Sequence, residues 1–131
     1  MFEFHGWASI HVDDSGDPIT QTIERRVERL SSKINDAISK VEAPNRDFRL
    51  RQLNGTTHLI FCGDHNHRDD SIIQFFKELA NIAPMAYGQL YVRDDEDTRG
   101  YSNMMRKWIL IRGQVWESTD DDMSPCIPTL E

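Results

Sequence analysis

No run of apolar residues in this chain approaches the roughly 20 that a helix needs to cross a bilayer, which argues against a membrane partner. Cysteine is scarce. Cys62 and Cys126 lie far apart and neither belongs to a Cys-x-x-Cys pair, so a structural zinc site has little support. An export signal is missing as well: Met1-Phe2-Glu3-Phe4-His5-Gly6-Trp7 has neither a basic nor a long apolar region. The expectation is a cytoplasmic protein whose two thiols stay reduced. Cys62, in an apolar run, reads as core. Only 7 glycines occur, with no phosphate-cradling glycine loop and no Gly-x-Ser-x-Gly elbow, so nucleophilic catalysis finds no support. Ser124-Pro125-Cys126 is too rigid, and too far from an identifiable base, to supply one.

What is there fits one soluble domain over 1–131. A chain of 131 residues can bury a sizeable core, and 38% hydrophobic with 28% charged residues is ordinary for a globule. No repeat or linker interrupts it. The net charge of −7 is uneven: residues 1–93 carry 13 acidic and 11 basic side chains, residues 94–131 carry 9 and 4. An acidic C-terminal third disfavours nucleic acid, whose phosphates need Lys and Arg, and favours a basic partner. The plainer reading of the same charge is loops that keep the domain soluble.

Periodicity supplies the elements. Residues 2–12 alternate as a strand ending at Asp13-Asp14-Ser15-Gly16. Asp17-Pro18 is a good helix start, and Ile19, Ile23, Val27, Leu30, Ile34, Ile38 and Val41 form one apolar stripe closed by Pro44. Phe48, Leu50 and Gln52 alternate with charged residues as a half-wet strand, Asn54-Gly55 predicts a tight hairpin, and Thr57–Cys62 returns as a central strand. A second helix starts near Asp69-Asp70 and stops at Pro84. Gln89–Val92 is a strand, Asp94–Gly100 a polar loop, and roughly Met104–Trp116 a last long strand before an acidic, proline-punctuated tail. The order β-α-β-β-α-β-β predicts an α+β domain: a mainly antiparallel sheet with two helices on one face, split β-α-β-like with an extra C-terminal strand.

Two constellations invite a chemical reading. Cys62-Gly63-Asp64-His65-Asn66-His67-Arg68-Asp69-Asp70 packs thiol, imidazole and carboxylate between a strand and a helix. Asp64, His65, His67 and Asp69 there have metal-ligand chemistry, as a small metal-dependent hydrolase would need, but their spacing matches no established ligand pattern. The simpler reading is a polar loop whose aspartates cap the second helix, and neither metal nor cofactor is assigned. His5, Trp7 and His11 share one side of the first strand, where core or cross-strand packing is the simpler account. Trp7, Trp108 and Trp116 could anchor an interface, but on predicted strands core is the simpler reading.

Several phrases occur together in order: Phe4-His5-Gly6-Trp7, then Gly88-Gln89-Leu90-Tyr91-Val92-Arg93-Asp94-Asp95-Glu96-Asp97, then Trp108-Ile109-Leu110-Ile111-Arg112-Gly113, then Ser124-Pro125-Cys126-Ile127-Pro128. As an ordered set they resemble the seventh immunity-protein family of bacterial polymorphic toxin systems, with little contribution from residues 14–86. The resemblance implies a non-enzymatic protein that binds the C-terminal domain of a cognate toxin. Toxins of these systems are often nucleases with basic sites, which suits an acidic inhibitor. The candidate toxin-facing residues are Asp94, Asp95, Glu96 and Asp97, with Tyr101 as aromatic anchor, then Asp120, Asp121 and Asp122, and Asp64 and Asp69 from the first constellation. The rival readings are the metal-dependent hydrolase and a regulatory interaction domain with no toxin.

Overall fold

The structure is a computed structural model and describes residues 1–12 and 22–128. Its elements in order are β1 (Phe2–Ile10), α1 (Ile23–Ser39), β2 (Arg46–Leu53), β3 (Thr56–His65), α2 (Ser71–Ile82), β4 (Tyr87–Asp94), β5 (Arg106–Ile111) and β6 (Gln114–Thr119). The six strands make one sheet in the order β2-β3-β1-β4-β5-β6, every neighbouring pair antiparallel. The first six elements have the split β-α-β arrangement: β3 lies between β1 and β2, and β4 flanks β1 on the other side.

Period-two alternation decides which side chains meet the helices. Phe2, Phe4, Ala8 and Ile10 of β1 share a face with Leu59 and Phe61 of β3, Leu90 and Val92 of β4, and Trp108 and Leu110 of β5. Against them pack Ile34, Ala37 and Ile38 from α1 and Ile72, Phe75, Phe76 and Leu79 from α2. Phe61 is the hub: its ring lies 5.7 Å from Phe48 and 5.5 Å from Phe75, the latter edge-on. Such aromatic pairs contribute about 0.5–1.5 kcal/mol each beyond the area they bury. Gly6 sits opposite Phe61 in register, and a Cβ there would run into the ring. In the opening Phe-His-Gly-Trp phrase, Phe4 and Gly6 are therefore packing requirements.

Three boundaries differ from the expectation. The predicted start of the first helix at Asp17-Pro18 lies outside the described residues; the helix seen begins at Ile23, with the Thr22 hydroxyl accepting from the Arg25 N–H at 3.3 Å. Its apolar stripe is buried only in the second half: Ile23 is exposed, beside an open groove shared with Val27, Gln52 and Gly55. The predicted Met104–Trp116 strand is two strands, so the described residues form eight elements rather than seven. Arg112 and Gly113 both have positive φ, 52° and 71°, as do Asn54 and Gly55 at 52° and 78°. Two consecutive positive φ values give the turn whose twist matches paired strands. Finally, β3 runs on to His65, so Gly63, Asp64 and His65 are strand, not loop.

Among the described residues no helix covers the second face of the sheet. Trp7, Ile60 and Trp116 lie on it, 40%, 53% and 47% exposed, and so does the exposed Cys62. The core reading of Trp7, Trp116 and Cys62 is thereby corrected; of the three tryptophans only Trp108 is buried.

Candidate functional site

The ends of β1, β3, β4, β5 and β6 nearest Phe2 are level: Phe2 pairs with both His65 and Asp94, Val92 with Arg106, and Arg106 with Thr119. The segments leaving those strands gather at one pole. The three acidic stretches that are separate in sequence thus become neighbours. Residues 64–70, 94–99 and 117–122 together hold eleven carboxylates against two arginines. The whole negative surplus of the chain sits there.

The loop after β4, expected to be exposed, is half interior. Asp94 and Asp97 have side chains only 3% exposed. Asp94 Oδ2 accepts from Arg68 Nη1 at 3.0 Å and its Oδ1 from the Glu96 N–H at 3.0 Å. Asp97 accepts from the Arg99 N–H at 2.7 Å and from Arg99 Nη2 at 2.9 Å. Arg99 also grips Glu117 with both Nη atoms, at 3.0 and 2.9 Å, and Glu117 takes a third bond from Arg106 Nε at 2.9 Å. Arg106, itself buried, also donates to Thr119 Oγ1 and lies 3.8 Å above the Tyr101 ring. Tyr101 is therefore a platform beneath a guanidinium.

These contacts set the electrostatics. The Arg99 bonds hold the Asp97 carboxyl below its ordinary range against a smaller opposing effect of burial. Burial pushes Glu117 up, but the bonds from Arg99 and Arg106 together outweigh it and its pKa falls. Bonds to Asp97 and Glu117 raise that of Arg99. Asp97 and Glu117 are thus ionised near neutrality.

The remaining candidates divide into half-buried and exposed. Asp69 accepts from the Ser71 N–H at 2.9 Å at the start of α2 and pairs with Arg46 at 2.6 Å. Bonds from Ser71 come first among the causes that lower its pKa. Asp120 accepts from the N–H groups of Asp122 and Met123 at 3.1 and 3.3 Å. Asp64, Asp70, Asp95, Glu96, Asp121 and Asp122 are exposed. Asp95 accepts from the Met1 amino group at 2.5 Å, and that bond depresses its pKa. Glu96 meets His67 Nδ1 at 2.7 Å.

The His/Asp/Cys constellation does not converge. His65 takes the Arg46 Nε bond at 2.7 Å and stacks on Phe4 at 6.2 Å, whereas His67 turns out to Glu96 and Cys62 lies on the helix-free face. Among the described residues no three His, Cys, Asp or Glu side chains form a group able to hold a metal. Asp69, as read from the sequence, caps α2; Asp70 makes no side-chain cap bond. On β1, His5 and Trp7 share the helix-free face, and the contacts there are cross-strand: Tyr87 meets Trp7 edge-on at 6.1 Å and stacks on His11 at 5.4 Å.

Reading along the chain missed Arg68, Arg99, Arg106 and Glu117, which organise the pole. Their only signal is charge opposite to, or matching, the acidic runs, and their partners lie up to 26 residues away. No helix among the described residues is long and apolar enough to cross a membrane. No curated protein matches the chain. A family model described as immunity protein 7 matches residues 1–131, the whole chain, and the chain therefore belongs to the immunity protein 7 family.

Proposed function

We propose that this immunity protein neutralises its cognate toxin in the cytoplasm by stoichiometric occlusion, turning the acidic pole toward a basic, nuclease-like toxin domain. The observation that carries the reading is the convergence of the acidic segments. Six of the eleven carboxylates, Asp64, Asp70, Asp95, Glu96, Asp121 and Asp122, are exposed, and they stand on a rigid base rather than on a free loop. Asp94, Asp97 and Glu117 belong to that base, and Asp69 and Asp120 hold the turns that present the others. Exposed carboxylates at one end of a molecule focus a negative field, which speeds encounter with a cationic cleft. Carboxylate oxygens there can take the places of substrate phosphates, so blockade needs no catalysis by the inhibitor.

Co-expression with the toxin encoded beside it should restore growth, and the two proteins should purify together in a fixed ratio. Toxins of unrelated systems should stay active, because specificity rests on charge and shape matched to one partner. Protection without a complex would sink direct occlusion.

A further inference from the structure

The helix-free face is large, and among the described residues no helix packs on it. One register row crosses all six strands: Arg49, Ile60, Trp7, Gln89, Ile109 and Trp116. Its tryptophans and Ile60 are about half exposed, with Gln89 between Trp7 and Ile109, and large apolar side chains grouped in this way on one face of a small domain mark an interaction surface. With strands about 4.8 Å apart and a rise of about 3.3 Å per residue, the face measures on the order of 800 Å², what one partner contributes to a standard interface.

Toward the acidic pole the face ends in a recess of about 560 Å³ lined by Glu3, His5, Tyr91, Met105, Asp120 and Met123. Glu3 has Arg93 Nη1 at 3.9 Å and His5 Nε2 at 3.3 Å. Among the described residues Asp120 pairs with no cationic side chain; only backbone N–H groups reach its carboxylate. Carboxylates on the walls, with thioether and phenol surfaces between them, fit a long cationic side chain whose stem is aliphatic.

We infer that this face is the energetic centre of the toxin interface, with Trp7 and Trp116 as anchors and the Glu3–Asp120 recess receiving a Lys or Arg of the toxin. The inference rests on the neutralising function proposed above and supplies what the acidic pole lacks, buried aromatic contacts of the kind that dominate binding energy. Charge selects the occupant. The recess opens beside the pole, so a partner covering both must be basic there, and a second copy of a chain with net charge −7 is disfavoured.

The test is titration calorimetry of the full chain against a catalytically inactive toxin domain from the neighbouring gene. Absence of binding by the wild type would refute the proposed function itself. Given wild-type binding, Trp7→Ala and Trp116→Ala should each weaken it about tenfold or more, and Glu3→Gln about tenfold. Met85→Ala, which removes an equally exposed apolar side chain from another surface, should change it less than twofold. All four variants should melt as the wild type does. Wild-type affinity in both tryptophan variants overturns the anchors, and in Glu3→Gln it overturns the recess, leaving occlusion by the pole intact. A wild-type dimer in sedimentation that Trp7→Ala makes monomeric assigns the face to self-association and also overturns the inference.

Discussion

The loop after β4 and the turn after β6 look alike in sequence, one reading Asp-Asp-Glu-Asp and the other Asp-Asp-Asp. They end up as opposites. In the first, two of four carboxylates are turned inward and gripped by Arg68 and Arg99. In the second, Asp120 folds back on its own backbone while Asp121 and Asp122 face solvent. The difference lies in the cations, which arrive from the β3–α2 connection and from the β4 loop itself; among the described residues no cationic side chain pairs with the second turn. An acidic run is structural or solvated according to which arginines the topology brings within about 3 Å.

Asp97→Ala should show the largest effect. It removes a nearly buried carboxylate with several bonds to Arg99, whose own side chain is 43% exposed and can regain water. That discount places the loss at about 2–3 kcal/mol, against no more than about 0.5 kcal/mol for Asp121→Ala. Urea unfolding measures both, and equal losses would erase the distinction between the two segments. Neutralising the whole Asp94–Asp97 stretch, harmless for an exposed loop, should therefore destabilise this protein. Acid sharpens the contrast. The folded pKa values of Asp97 and Glu117 lie below their unfolded values, so their contribution is fully present above about pH 5 and is lost as pH falls through the folded pKa values. Asp97→Asn should flatten that decline.

The outer carboxylates should behave in the reverse way. Changing Asp95, Glu96, Asp121 and Asp122 to their amides should leave unfolding within about 1 kcal/mol of wild type. Association with the toxin domain should nevertheless slow about tenfold in low salt, and the gap should close as salt shortens the screening length. A stopped-flow salt series decides it. A gap that persists in high salt would mean that these carboxylates form desolvated pairs rather than a steering rim.

The fold was largely legible because its signals are local. Alternation in β1 and β2, Asn54-Gly55, and the stripes of both helices gave the topology. The Arg112-Gly113 turn was not, since Arg is not a usual first turn residue and the flanking Ile109-Leu110-Ile111 and Val115-Trp116 read as one apolar run. Ile60 and Cys62 were hidden similarly: with apolar residues on both faces of β3, alternation has no contrast to show. The pole was half legible. Its three segments were visible, but their meeting depends on strand register; the arginine that holds Asp94 lies 26 residues away, and although Arg99 stands two residues from Asp97, nothing local says that the pair turns inward.

The smallest expected effect tests whether place or total charge matters. Glu24→Gln with Glu28→Gln removes two negative charges from the exposed start of α1. Both residues line the groove that includes Gly55 of the β2–β3 hairpin, at the end of the sheet away from the acidic pole. Glu24 sits in the first helical turn, where a carboxylate favours the macrodipole, so the pair should cost about 0.5 kcal/mol of stability. Its influence on the toxin should be smaller still. At physiological salt the screening length is about 8 Å, while a strand of nine residues spans about 30 Å, so charge at one end is scarcely felt at the other. Association should stay within about twofold of wild type. If the helix variant slows it as much as the variant with four amides at the pole, net charge rather than the pole drives the encounter, and the two ends of the molecule are electrostatically equivalent.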